Sequence, residues 1–194
     1  LCGVVSNGTA TCWGSNEYGQ LGTGDFANSD VPLAITGGAL AGKTVTQITA
    51  GAYHSCAVIS DGSVACWGYN ATGQLGKGDY SDSNTPVAIT GGALAGKTIV
   101  QIEAGNYHTC AVVSDGTVVC WGQGALGQLG DGSNSATASP VAITGGALAG
   151  KTVTQIAAGR EHTCAVISDG TVACWGFNVK GQIGTGDFTN SNLP

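Results

Sequence analysis

Charged side chains are scarce in this chain, and basic ones scarcest. Six Lys plus Arg stand against twelve Asp plus Glu in 194 residues, a formal charge of −6. Six scattered cations cannot displace the counterions of a nucleic-acid backbone, so nucleic acid is not an expected partner. The same shortage argues against docking on anionic lipid. No apolar run approaches the length of a membrane span, and membrane insertion is not expected. No signal peptide is visible, because the chain opens inside a repeat. Helical periodicity is missing too: no window sustains it. Nor does any paired acid and base, or any activated nucleophile, stand out. The expectation is a protein without catalysis, cofactor or metal.

What the chain has instead is glycine, 34 residues without the Gly-X-Y period of collagen. Among many Val, Ile and Thr, that density means turns at short intervals and short strands between them. Self-comparison shows why. Cys12-Trp13-Gly14 returns at Cys66-Trp67-Gly68, Cys120-Trp121-Gly122 and Cys174-Trp175-Gly176, a constant step of 54. Gly19-Gln20-Leu21-Gly22 returns at the same step as Gly73 to Gly76, Gly127 to Gly130 and Gly181 to Gly184, the last with Ile183 in place of leucine. With no insertion or deletion between copies, every unit must have the same structure.

Within a unit the apolar residues alternate or run briefly. Val45-Thr46-Gln47-Ile48, Cys56-Ala57-Val58-Ile59, Val64-Ala65-Cys66-Trp67 and Pro86-Val87-Ala88-Ile89 are separated by Gly, Asp, Asn and Ser. They predict about four short strands per unit. Radial repetition of four-stranded sheets is how β-propellers protect their edges. The predicted fold class is therefore all-β, with propeller blades of four antiparallel strands.

The string Ala50-Gly51-Ala52-Tyr53-His54-Ser55-Cys56-Ala57-Val58, followed by Asp61-Gly62, Trp67-Gly68 and Gly73-Gln74-Leu75-Gly76, resembles the regulator-of-chromosome-condensation repeat. The resemblance recurs in every unit, in a version with paired cysteines of the bacterial extracellular type. It implies a four-stranded blade, with whole proteins of the family closing at seven. It says little of function, since propellers host many tasks. Leu1 aligns with Ser55, and Pro194 with Pro32, Pro86 and Pro140. At 54 residues per unit the 194 residues make about 3.6 units. We expect a single repeat array over 1–194 with units 1–32 (partial), 33–86, 87–140 and 141–194, either a fragment of a longer array or a protomer needing partners.

Eight cysteines fall as the pairs Cys2/Cys12, Cys56/Cys66, Cys110/Cys120 and Cys164/Cys174, each spanning a Ser-Asn-Gly or Ser-Asp-Gly turn. A three-residue hairpin loop with glycine in the left-handed position sets Val58 opposite Val64 and Cys56 opposite Cys66, within disulfide reach. A two-residue Asp-Gly loop would set Cys56 opposite Trp67 instead. Buried free thiols are one alternative. Zinc on His54, Cys56 and Cys66 is another, with three ligands where four are usual and no CxxC knuckle. We expect disulfides, and hence an extracellular or otherwise oxidising compartment.

Gly37-Gly38-Ala39-Leu40-Ala41-Gly42-Lys43-Thr44 matches the phosphate-binding pattern GxxxxGK[ST], and it returns at Gly91 to Thr98 and Gly145 to Thr152. That chemistry needs a helix starting at the Lys-Thr. Here a strand pattern follows, Val45-Thr46-Gln47-Ile48. The segment reads as a glycine-rich connection between strands. His54, His108 and His162 share one repeat position and read as hydrogen-bonders near a turn rather than a metal or pH-sensing rim. The acidic loops Asp25 to Asp30 and Asp79 to Asn84 could offer oxygens to calcium. The third unit departs from them, and they read as solvated turns. Asn7-Gly8-Thr9 and Asn70-Ala71-Thr72 fit the N-glycosylation sequon. Trp13, Trp67, Trp121 and Trp175 end apolar strands and read as packing residues.

Positions that vary between units are free of the shared structural duty, so they are the better binding candidates. They cluster after the tryptophans and before the histidines: Glu17, Tyr18, Tyr69, Leu126, Phe177 and Lys180 in one set, Tyr53, Tyr107, Arg160 and Glu161 in the other. Loops at one end of a propeller share a surface, and aromatics there suit a protein or a glycan. The expected function is a non-enzymatic extracellular repeat protein serving adhesion, scaffolding or a fibre, with self-association into a ring or filament as one form. A secreted propeller that inhibits or receives one specific protein is the alternative. Guanine-nucleotide exchange, the family's namesake activity, fits less well with paired cysteines and no basic tail.

Overall fold

The computed structural model describes all residues from 1 to 194, and apart from three single 3-10 turns its regular structure is strand. The first sheet holds β1 (Cys2–Val4), β2 (Ala10–Gly14) and β3 (Ser29–Ala34). The second holds β4 (Val45–Ala50), β5 (His54–Ile59), β6 (Val64–Gly68) and β7 (Ser83–Ala88) in that spatial order. The third repeats it with β8 (Ile99–Ala104), β9 (His108–Val113), β10 (Val118–Gly122) and β11 (Thr137–Ile143). The last contains β12 (Val153–Ala158), β13 (His162–Ile167) and β14 (Val172–Gly176), with a bridge from Gly176 to Ser191 where a fourth strand would begin. All pairings are antiparallel. These are propeller blades, as the spacing predicts.

The strands run longer than the apolar pattern suggests. In the second sheet the first strand continues to Ala50, the next starts at His54, and the outermost starts at Ser83 and ends at Ala88. Pro86 can sit in that outermost strand because an edge strand loses no ladder bond to the missing N–H. Between blades, Gly38–Leu40 makes one 3-10 turn and β4 begins at Val45, so no helix follows the Lys43-Thr44 pair. Gly38 holds φ +59, and a Cβ there would collide with the Pro86 carbonyl of the next blade. Among the glycines that mimic a phosphate loop, Gly38 serves this close crossing, while Gly37 and Gly42 have open space around them.

The core lies between blades rather than inside one. Cys12 and Leu21 of the first unit pack with Ile35, Leu40, Val45, Ala57 and Trp67 of the second. The same alternation joins the second unit to the third and the third to the fourth. Trp67, Trp121 and Trp175 are wholly buried in these seams. Each donates its Nε1–H backwards, to the carbonyls of Gln20, Gln74 and Gln128, at 2.9, 2.9 and 3.0 Å. The first strands of neighbouring blades are tied by glutamine amides. Gln101 Nε2 donates to Ile156 O at 2.7 Å and its Oε1 accepts from Ile156 N at 2.9 Å, as Gln47 does with Ile102.

Candidate functional site

Each β-hairpin closes as a three-residue loop. Gly62 N donates to Ile59 O, and Ile59 N to Ser63 O, with Gly62 at φ +81. The register then sets Val58 opposite Val64 and Cys56 opposite Cys66. This is the pair of positions that exchange no backbone hydrogen bonds, where opposed Cα atoms come closest. Their Cα atoms stand 4.1 Å apart, and the sulfurs are bonded. Cys2–Cys12, Cys110–Cys120 and Cys164–Cys174 are joined likewise, and no cysteine is free. No thiolate remains for zinc.

The histidines serve the seams. Thr109 Oγ1 donates to Gln74 O at 2.9 Å, so it accepts from His54 Nε2, also 2.9 Å away. His54 is thereby the neutral, Nε2-protonated imidazole. His108 repeats this with Thr163 at 3.0 Å. Burial, and then the next histidine along, pull His54 down to about 3 and His108 to about 4. Gly51 precedes His54 because the ring lies on its Cα: a Cβ would sit 2.6 Å from His54 Cε1.

The long loops after β2, β6 and β14 hang on a buried asparagine, a role that constancy across units could have flagged. Asn70 Oδ1 accepts from Leu75 N at 2.9 Å, and its Nδ2 donates to Asp79 O and Ser81 O at 2.8 and 3.0 Å. Asn16 and Asn178 do the same, and all three are fully buried. The Asn70 sequon is thus inaccessible in the fold, while Asn7 is exposed on its turn. The loop carboxylates are occupied locally. Asp79 Oδ1 accepts from Ser81 N and Ser81 Oγ, both at 2.9 Å, and from Lys77. Asp25 Oδ1 accepts from Thr23 Oγ1, Ala27 N and Asn16 Nδ2. Both close their own turns.

The variable positions do not scatter evenly. Tyr18 and Tyr69 stand with centroids 4.8 Å apart at 65°, and Tyr18 and Tyr53 5.3 Å apart at 73°. Tyr53 lies 5.7 Å from Tyr107, which is also 6.3 Å from Tyr69. Four tyrosines from three units therefore form one contiguous patch, each ring half-buried or exposed. Burial, and then the neighbouring phenols, push Tyr107 up, so it stays protonated. None of the other candidates contributes a ring to this patch. Arg160, Glu161 and Phe177 line a separate hollow of about 430 Å³ with His162 and Gln182. Leu126 is half-buried, its amide donating to Gln128 Oε1, while Glu17 and Lys180 are exposed.

Charge divides between the two ends of the blades. At the hairpin-turn end, Lys43, Lys97 and Lys151 pair with Asp61, Asp115 and Asp169. The lysine hydrogen bond is the first cause holding each of these aspartates well below the usual carboxylate range. Of the other nine carboxylates, eight lie with the three remaining cations in or beside the loops at the end that carries the tyrosines, and Glu103 sits within β8, so most of the formal charge of −6 resides at that end.

The model of the regulator of chromosome condensation (RCC1) repeat matches residues 7–58, 61–112 and 115–166. The ultraviolet-B receptor UVR8 of Arabidopsis thaliana is 39% identical over 192 residues, covering 98% of this chain and 42% of that protein. The probable E3 ubiquitin-protein ligase HERC4 of Mus musculus is 38% identical over 185 residues, 94% of this chain and 17% of that protein. The chain thus spans less than half the length of these relatives. Among solved structures, human WBSCR16 superposes with a TM-score of 0.88 at 25% identity, over the whole of this chain and 49% of that one. Yeast RCC1 (Prp20) bound to Kap60 gives 0.81 at 26% identity, over all of this chain and 46% of that one. Three repeat matches, with a tryptophan–glutamine contact rebuilt at three seams and a histidine–threonine bond at two, place this chain in the regulator of chromosome condensation (RCC1) repeat family.

Proposed function

We propose that this chain is a non-enzymatic, protein-binding repeat array that works in an extracellular, oxidising setting as an adhesion module or scaffold. The observation that carries the reading is the tyrosine patch. The constant polar residues of each unit are used in closing seams and loops, while four variable residues gather as aromatics at one end. Tyrosine offers large amphipathic contact area at low conformational cost, which suits a protein partner. The disulfides support the compartment, since cytosolic thiols are kept reduced. Binding roles in the relatives' names, a receptor and a complex with Kap60, agree with it. The ligase named for HERC4 does not transfer, because the match covers 17% of that protein. Confinement of the patch to one end favours a second reading, a secreted propeller that grips one specific target.

The test is a photo-crosslinking side chain placed at Tyr69, or at Ser63 on the opposite end, in the protein on its native surface. Protein adducts from Tyr69 but not from Ser63 are expected. Adducts at Ser63 alone, or at neither, would overturn the reading.

A further inference from the structure

Resting on that reading, we propose that the partner seated on the tyrosine patch is a cationic protein segment, held by arginine side chains laid against Tyr18, Tyr53, Tyr69 and Tyr107. The aromatic patch defines the place, and three features define the occupant. First, the rings meet one another at 65 to 73° around Tyr18 and even Tyr53 and Tyr107 are tilted by 32°, so the four together form no flat platform for a sugar face. Second, neighbouring rings have centroids 4.8 to 6.3 Å apart, in contact with one another, so no cage is left between them for a methylated ammonium. A guanidinium needs neither, because it stacks on the exposed outer face of a packed tyrosine.

Third, the surroundings are acidic on one end only. The hairpin end is neutralised by its three Lys–Asp pairs, and apart from Glu103 within β8 the unbalanced negative charge lies with the tyrosines. Glu17 adjoins Tyr18, and Glu161 holds in the fourth unit the position that Tyr53 and Tyr107 hold in the second and third. An uneven field of this kind attracts a cationic segment to the patch and repels acidic proteins from it. Aromatic faces for the guanidinium and distributed carboxylates for the approach are two halves of one recognition.

The probe is a synthetic peptide of about a dozen residues alternating arginine and glycine, against the intact disulfide-bonded chain by fluorescence anisotropy. The same peptide with citrulline, and with glutamate, in place of arginine should bind at least about tenfold more weakly. Arginine-peptide affinity should fall steeply between about 0.02 M and about 0.5 M salt. Tyr69→Ala should weaken it about tenfold, a loss of the size expected for one desolvated cation–π contact. Because Tyr69 is half-buried, Glu17→Gln with Glu161→Gln is the second variant; it should slow association and flatten the salt dependence. Lys43→Gln with Asp61→Asn, at the far end, should change nothing. Equal binding of the citrulline peptide, indifference to both the tyrosine and the glutamate variants, or no binding of the arginine peptide would each overturn the proposal. Charge-blind peptide binding beside protein adducts at Tyr69 would sink the cationic partner and leave the binding face standing.

Discussion

Gly22, Gly76 and Gly130 hold φ between +70 and +75, directly against the tryptophan of the following unit. A Cβ on Gly76 would lie 2.7 Å from Trp121 Nε1, so the second glycine of Gly-Gln-Leu-Gly is demanded twice, by backbone and by contact. Gly96 has a similar φ of +69 but open space around it. Gly96→Ala should therefore cost about 1 kcal/mol, and Gly76→Ala about 3 kcal/mol, in urea unfolding. Equal costs would show that contact with the indole contributes nothing. The histidines set a pH dependence. His54 and His108 stay neutral when folded but protonate near 6.5 in the unfolded chain. Their contribution is complete above pH 6.5 and is lost as pH falls toward the folded values of about 3 and 4. The urea midpoint should be flat from pH 8 to 7 and decline below about 6.5, and His54→Gln with His108→Gln should remove the decline between about 6.5 and 5. A wild-type midpoint that is level through that window would refute the assignment.

Among the elements, the hairpin is where spacing alone carried most weight. Three loop residues, rather than two, put the cysteines opposite each other, and the loop ending in Gly62 at φ +81 does so in the structure. Strand ends were less legible. Residues such as His54 and Ser83 belong to strands through bonds to neighbouring strands, which an apolar pattern does not record. The disulfide closes a short loop that the hairpin already holds, so its worth on the chain-entropy model is at most about 3 kcal/mol. Cys110→Ala with Cys120→Ala should lower stability by up to about 3 kcal/mol while keeping the native near-ultraviolet spectrum. Loss of that spectrum would mean the bridge is needed to form the blade.

Across the whole molecule, each unit buries its apolar face only against the next, so stability is a sum of units and seams. Excising residues 87–140 joins Pro86 to Val141, the equivalent of Val87, and leaves every seam chemically intact. The shortened chain should fold with its three remaining disulfides and a urea m-value smaller by about a quarter. Free thiols or aggregation in that variant would show that the units are not interchangeable. The period, the fold class and the refusal of the phosphate loop were all legible at this scale, because a constant step of 54 admits one repeating solution.

The tyrosine patch was legible only in part. Its members stood out as variable positions, yet Tyr18, Tyr53, Tyr69 and Tyr107 are distant in sequence, and nothing in their spacing says they touch. Nor could the sequence separate them from Arg160, Glu161 and Phe177, which line another hollow. By itself, then, the sequence determined what is local and periodic: blade, hairpin register, cysteine pairing and the glycine crossings. These follow from residues a few positions apart whose geometry the backbone dictates. The tertiary structure alone decided which partners lie 47 to 55 residues away: His54 with Thr109, Trp121 with the Gln74 carbonyl, Gln101 with Ile156. It also decided that the aromatic loops and the unbalanced charge share one end. Such contacts depend on how one blade is laid against the next, and that angle is set by packing across the seam.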